Sequence, residues 1–157
     1  MKINLGKYEF HHIADLVPDN DDGIIKTYTP QEQYKGKNNL ELLDEGVGEF
    51  CSFKLPNSSD VPGVYAWVVD GDVIYIGETK KLKARFNSGY GKISPRNCYK
   101  GGQKTNCKMN KVVKDYYNNN KIIKIYFLQT NEYKAIEKVL ITLLTPKYNE
   151  KGNKKWI

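Results

Sequence analysis

The chain has 157 residues, enough for one compact domain with a buried core and too few for two domains of ordinary size. Its composition, 39% hydrophobic and 27% charged, is typical of a globular protein, and no apolar run approaches the roughly 20 residues that span a bilayer. The N-terminus has no apolar secretion signal, so we expect one cytoplasmic domain with no membrane partner.

Charge is distributed unevenly along the sequence. The formal net charge is +7, but residues 1–60 contain 6 basic and 11 acidic side chains, whereas residues 61–157 contain 19 basic and 7 acidic ones. The basic part is a candidate surface for a polyanion such as nucleic acid. A solvated cationic face without a partner is the alternative. The three cysteines are irregularly spaced, without a close C-x-x-C pair, which predicts reduced thiols and no zinc site.

The sequence predicts an irregular N-terminal extension followed by regular helices and strands. Turn-forming residues break up residues 1–61, whereas GVYAWVV and VIYIG, separated by Asp70-Gly71-Asp72, predict a β-hairpin. Thr79 is the expected N-cap of a helix that runs to about Asn87 and stops at Gly89.

The second half predicts another helix over residues 106–117, a third strand over 122–128 and a third helix over 131–144, closed by Pro146. The predicted fold class is α/β (α+β), a single domain in the order ββααβα. A small three-stranded sheet would be flanked by helices.

The last predicted helix carries a carboxylate where apolar residues are expected. On a wheel of about 100° per residue, an apolar arc is formed by Tyr133, Ile136, Leu140, Ile141, Leu143 and Leu144. Glu137 falls inside this arc. An unpaired buried carboxylate is costly, so Glu137 needs a partner. Either a divalent metal such as Mg²⁺ or a structural ion pair with a neighbouring cation would serve.

Arginine and tyrosine side chains are the other candidates for chemistry. Arg85 flanks the apolar stripe of the first helix and could contact a phosphate with two nitrogens, or be merely solvated. Strand alternation places Tyr65 and Tyr75 as neighbours across the hairpin. They are either a packing pair or, because a phenol has a reference pKa of about 10, a general base that needs nearby positive charge.

Together these residues resemble the GIY-YIG nuclease family over about residues 62–149. The matching motifs are Gly63-Val64-Tyr65, Tyr75-Ile76-Gly77, Arg85, Glu137 and Pro146-Lys147-Tyr148-Asn149. Order and spacing carry the resemblance: nine residues lie between the two tyrosines, Arg85 is ten residues after Tyr75, and Asn149 is twelve after Glu137.

The resemblance implies a role for each matched residue. Tyr65 would be the general base, and Tyr75 would orient the water and phosphate. Arg85 would contact the scissile phosphate, Glu137 would bind the metal, and Asn149 would brace the site.

The sequence departs from the family pattern at three points. The first motif reads GVY, and Glu78 stands where many relatives have lysine, so either Lys80 substitutes for it or no lysine is needed. Relatives often place histidine or tyrosine four residues after the arginine. That position is Gly89 here, so Tyr90, one residue later, is the candidate.

A basic segment, defined as residues 88–111, is predicted to contact DNA. It contains six basic residues, no acidic one, four glycines, Tyr90 and Tyr99. A flexible solvated loop is the alternative. The candidate DNA-binding residues in and before this segment are Lys81, Lys83, Lys92, Arg96, Lys100, Lys104 and Lys108.

The predicted function is hydrolysis of DNA phosphodiesters with Mg²⁺, for which Mn²⁺ can substitute. The expected organisation is an extension over residues 1–61 for dimerisation or DNA recognition, a nuclease core over 62–150 and a basic tail over 151–157. The expected substrate is double-stranded DNA, cut selectively as restriction enzymes and phage endonucleases do, with a homodimer as one route to cutting both strands. Two alternatives are a catalytically idle nucleic-acid-binding module and a repair nuclease recruited by a partner.

Overall fold

The computed structural model describes residues 1–36 and 38–149, so the predicted basic tail lies outside the described residues. The strands are β1 (Lys2–Leu5), β2 (Tyr8–Leu16), β3 (Asn20–Asp21), β4 (Ile24–Ile25), β5 (Gly63–Val69), β6 (Asp72–Thr79) and β7 (Ile123–Gln129). The helices are α1 (Leu82–Arg85), α2 (Lys104–Asn118) and α3 (Tyr133–Leu144). Within the described residues, none of these helices is long and apolar enough to cross a membrane.

The chain divides into two compact units. The first comprises Met1–Leu16, Pro56–Lys83 and the chain from Ile123 onward. The second comprises Val17–Leu55 and Ala84–Ile122.

The first unit contains a five-stranded antiparallel sheet in the order β1-β2-β7-β5-β6. The prediction of a three-stranded sheet is therefore wrong. The two additional strands come from the N-terminus, where β2 pairs along β7 and Gly6, at φ +58°, begins the turn back from β1. Because His11, His12 and Asp15 give β2 a polar appearance, its sequence does not stand out as a strand.

The core of the first unit lies between one face of this sheet and α3. Val64, Ala66 and Ile76 on β5 and β6 pack in one buried cluster with three residues of α3, Ile136, Leu140 and Ile141. Burying each such aliphatic side chain contributes about 1.5–3 kcal/mol. The hairpin, the third strand and the third helix predicted from sequence are thereby confirmed.

The first helix begins later than predicted. Thr79 is still part of β6, opposite Gly63, and its hydroxyl accepts a hydrogen bond from the Lys81 N–H at 2.9 Å. The helix starts at Leu82, whose N–H donates to the Val61 carbonyl. Beyond Arg85 the chain continues as a π-helical turn, Phe86–Tyr90, so Gly89 lies inside this turn and does not stop a helix.

The second unit is organised around α2. Asn110, fully buried on this helix, accepts a hydrogen bond from the Cys51 N–H and donates to the carbonyls of Cys51 and Tyr90 at 2.7 and 2.8 Å. A hydrophobic cluster contains Phe50, Ile93, Cys98, Tyr99 and Cys107. All three cysteines are buried and free.

Candidate active site

The two motif tyrosines lie on the same face of the β5–β6 hairpin. The register pairs Tyr65 with Gly77 and Trp67 with Tyr75, so the tyrosines are diagonal neighbours and not directly opposite each other. The rings of Trp67 and Tyr75 meet edge to face, with centroids 5.7 Å apart. The hairpin therefore brings Tyr65 and Tyr75 together on one surface, as the alternation predicts.

Gly77 is required by the position of the Tyr65 ring. A Cβ atom added to Gly77 would lie 2.5 Å from Cε1 of Tyr65 and even closer to its Cζ and hydroxyl oxygen. No side chain can occupy that space unless the ring moves. The glycine of the second motif thus has a steric role: it lets the aromatic ring of the first motif lie directly against β6.

Asn149 binds the backbone of the residue between Tyr75 and Gly77. Its Oδ1 accepts from the Ile76 N–H at 2.9 Å, and its Nδ2 donates to the Ile76 carbonyl at 2.8 Å. The Tyr148 N–H donates to the Ile74 carbonyl on the same strand. Because β6 is an edge strand, its outward backbone groups need partners, and residues 148 and 149 supply them as a neighbouring strand would.

Glu137 lies half-buried on α3, beside the apolar stripe that packs on the sheet. That stripe covers the face bearing Val64 and Ala66, whereas Tyr65 and Tyr75, by alternation, belong to the opposite face. The predicted arc is wrong at Leu143, which is 60% exposed, because the helix turns this position away from the sheet.

The surroundings of Glu137 set limits on a metal site. Among residues 1–36 and 38–149, no group of three or more His, Cys, Asp or Glu side chains could hold a metal ion. Mg²⁺ is commonly bound by one or two carboxylates, with water and substrate phosphate completing its shell. A half-buried carboxylate outside any such group does not fit a closed structural site, but would suit Mg²⁺ that takes its other ligands from water and a substrate phosphate.

Arg85 belongs to the second unit, and two side chains of that unit are among the partners of its guanidinium. Its Nη1 donates to Oδ1 of Asn106, and its Cζ lies 4.0 Å from the centroid of the Tyr90 ring. Tyr90 is fully buried and packs edge to face on Phe86. Tyr90 is thus the platform on which Arg85 rests. Whether it takes part in chemistry stays a prediction.

Asn106 was not found by sequence reasoning. It is 5% exposed and lies in the first turn of α2, 21 residues after Arg85. An asparagine near the start of a helix is normally read as a capping residue, so the sequence carries no signal that singles it out.

The basic segment is more ordered than the predicted glycine-rich loop. It contains a 3₁₀ helix, Pro95–Cys98, and the first half of α2, which begins at Lys104. Tyr99 is 6% exposed and its hydroxyl donates to the Gln31 carbonyl, so this aromatic side chain packs inside the second unit. The Arg96 guanidinium donates to the carbonyls of Tyr99 and Lys100, which closes this part of the chain.

Five of the seven predicted DNA-binding side chains are exposed and two are half-buried, and the candidate Lys80 is exposed as well. Arg96 and Lys108 are half-buried, whereas the exposed side chains are those of Lys80, Lys81, Lys83, Lys92, Lys100 and Lys104. DNA binding by all of these residues stays a prediction.

The fold resembles that of a solved phage protein. The structure of a glutamate-to-alanine mutant of bacteriophage T4 EndoII matches with a TM-score of 0.58 and 17% sequence identity, over 89% of this chain and 91% of that one. No protein-family model and no curated protein matches the sequence. At this identity the likeness establishes that the two chains share a fold, a mixed α/β architecture found in an endonuclease.

Proposed function

We propose that the protein is a metal-dependent endonuclease that hydrolyses DNA phosphodiester bonds. The observation that carries the proposal is that residues of three sequence motifs contact one another, two of them on one hairpin and the third near residue 149. Tyr65 lies against Gly77, and Asn149 binds Ile76, the residue between Tyr75 and Gly77. The fold shared with bacteriophage T4 EndoII supports the same conclusion.

The residues that support hydrolysis have separate tasks. Tyr65, as its phenolate, would accept the proton of the attacking water and become a neutral phenol, and Tyr75 would orient that water against the phosphate. Arg85, with its guanidinium plane already held, would bind phosphate oxygens. Glu137, with water, would hold Mg²⁺ or Mn²⁺, which when bound neutralises charge on the phosphate and the leaving 3′-oxygen.

We further propose a site-selective cutter of duplex DNA, of the phage or restriction type, acting in the cytoplasm. The exposed lysines of the basic segment and of residues 80–83 would neutralise phosphates along the duplex. One active site cuts one strand, so a double-strand break would need a homodimer or two successive events.

One observation favours a different function, that of a catalytically idle DNA-binding module. Tyr65 is 1% exposed and Tyr75 is 9% exposed, which is the burial expected of aromatic packing residues. A buried phenol keeps its proton more tightly than an exposed one, unless positive charge lies nearby. The two functions predict different results when a divalent metal is added: the endonuclease cleaves DNA, and the idle module only binds it.

Plasmid cleavage separates the two functions. Supercoiled plasmid should be nicked or linearised with Mg²⁺ or Mn²⁺ and stay intact in EDTA. Glu137→Gln should abolish cleavage and leave DNA affinity nearly unchanged, because it removes one metal ligand. Glu132→Gln is the matched control, since Glu132 is an exposed carboxylate just before the same helix.

Each possible outcome has a clear meaning. Full cleavage by Glu137→Gln would show that the metal assignment is wrong. DNA binding without cleavage in any metal would establish the idle module. Sequencing the cleaved ends would show whether cutting is selective.

A further inference from the structure

We infer that Asn106 is a positioning residue that orients Arg85 for the phosphate, an inference that rests on the nuclease function proposed above. An arginine can bind a phosphate with two nitrogens only if its planar guanidinium is oriented toward the phosphate oxygens, because the N–H donors are fixed in that plane. The side chain of an unrestrained arginine has many rotamers, and ordering it costs conformational entropy. A contact that orders it beforehand removes that cost from the reaction.

Two contacts within the second unit act on the guanidinium of Arg85. Its Cζ lies 4.0 Å from the centroid of the Tyr90 ring, and Oδ1 of Asn106 accepts a hydrogen bond from its Nη1. Contact with a ring face leaves the guanidinium able to rotate over the ring. A hydrogen bond to one nitrogen favours a single orientation, and Asn106 supplies such a bond.

Asn106 has the features required for this role. It is 5% exposed, so surrounding atoms restrict the position of its side-chain amide. Its backbone is part of α2, whose buried face includes Cys107, Met109 and Asn110. It is neutral, so it holds the guanidinium without cancelling the charge that attracts a phosphate. An aspartate at this position would hold Arg85 more tightly but would compete with the phosphate.

The absence of a side chain at Gly89 is a second observation that supports a positioning role for Asn106. A Cβ added there would lie 3.1 Å from Nη1 of Arg85 and 3.7 Å from Oδ1 of Asn106. The position is not one of positive φ, so backbone freedom does not require glycine here. The absent side chain leaves room for the hydrogen bond between Arg85 and Asn106.

A double-mutant cycle tests the inference by single-turnover cleavage of plasmid DNA with Mg²⁺. Asn106→Ala should slow cleavage by about 10- to 100-fold, since small misplacement of a catalytic group has effects of this size. Arg85→Ala should slow it at least as much. If Asn106 acts through Arg85, adding Asn106→Ala to Arg85→Ala should cause no further loss.

Gln31 is the control. It is another buried side-chain amide of the second unit, and its Nε2 donates to the backbone carbonyl of Gly48. Gln31→Ala should lower the melting temperature, and its effect on cleavage should be the same with and without Arg85. Gly89→Ala is the second probe. It should slow cleavage when Arg85 is present and have no effect on the cleavage rate when Arg85 is alanine.

The outcomes distinguish this inference from the proposed function. If the parent protein does not cut DNA, or Arg85→Ala cuts at the parental rate, the function or the role of Arg85 is wrong. If Arg85→Ala is slow but the losses from Asn106→Ala and Arg85→Ala multiply, Asn106 is structural and only the inference is overturned. If Asn106→Ala does not fold, the Gly89→Ala pair decides in the same way.

Discussion

The ring of Tyr65 lies against Gly77, its partner across the hairpin, so closely that a Cβ on Gly77 would overlap it. The two residues come from different motifs, and the ring of one fills the space that a side chain of the other would need. This relationship explains in physical terms why a glycine follows Tyr75-Ile76.

Gly77→Ala should destabilise the protein by about 1–3 kcal/mol, the usual cost of overpacking a filled core. Urea unfolding measures the change. In a Tyr65→Ala background the ring is absent, so the same substitution should cost much less. Equal costs in the two backgrounds would mean that the ring and the glycine do not share this space.

Asn149→Ala should destabilise the protein through the edge of the sheet. It leaves the N–H and C=O of Ile76 without their partners, and each unsatisfied buried group costs about 1–3 kcal/mol. Thermal and urea unfolding of this variant should be compared with Lys147→Ala, which alters an exposed side chain of the same segment. Indistinguishable stabilities would contradict the bracing role of Asn149.

Tyrosine-to-phenylalanine variants separate packing from chemistry. Tyr65→Phe keeps the ring over Gly77 and removes only the hydroxyl, so the melting temperature should fall much less than in Tyr65→Ala, which loses the ring. If Tyr65 is the general base, single-turnover cleavage should slow by about 10²–10⁴-fold. Tyr75→Phe should slow it less. Parental rates in both variants would leave the tyrosines as packing residues.

Neutralising lysines of the basic segment should weaken DNA binding in a salt-dependent way. In a Lys92→Ala, Lys100→Ala, Lys104→Ala triple variant, each lost phosphate contact should reduce the log–log salt slope by about 0.9. The matched control replaces Lys2, Lys7 and Lys26, which are exposed and carry the same total charge. Equal slopes for the two triple variants would refute a specific role for the segment.

Arg96 was left out of that triple variant because it holds the backbone carbonyls of Tyr99 and Lys100. Arg96→Ala would change both the local structure and the charge.

Cys51 should make stability depend on pH under alkaline conditions. Burial raises the pKa of its thiol from 9.0 to about 12. The folded state therefore keeps a proton that the unfolded chain releases. Its contribution is fully present below pH 9 and is lost as pH rises through this window, so the free energy of unfolding falls.

Cys51→Ala should reduce that fall by up to about 1.4 kcal/mol per pH unit. Urea unfolding at several pH values from about 8 to about 11 measures both slopes. Parallel slopes for the parent and the variant would show that the thiol is not the group responsible.

The sequence by itself determined the elements that local periodicity marks clearly. The alternating apolar residues of β5 and β6, the run of β7 and the stripe of α3 were all predicted within a few residues of their observed bounds. These patterns depend on neighbours in the chain, which the sequence displays directly. Motif spacing likewise identified Tyr65, Tyr75 and Asn149 before any contact was known.

Tertiary structure alone decided where those elements find their partners. Strand β2 joins the sheet by pairing with β7, more than 100 residues later. Because several side chains of β2 are polar, its sequence lacks the apolar alternation that predicts a strand. Asn149 reaches Ile76 across 73 residues, and Asn106 reaches Arg85 across 21. A hydrogen bond between distant residues leaves no local pattern, because packing of the whole unit brings its donor and acceptor together.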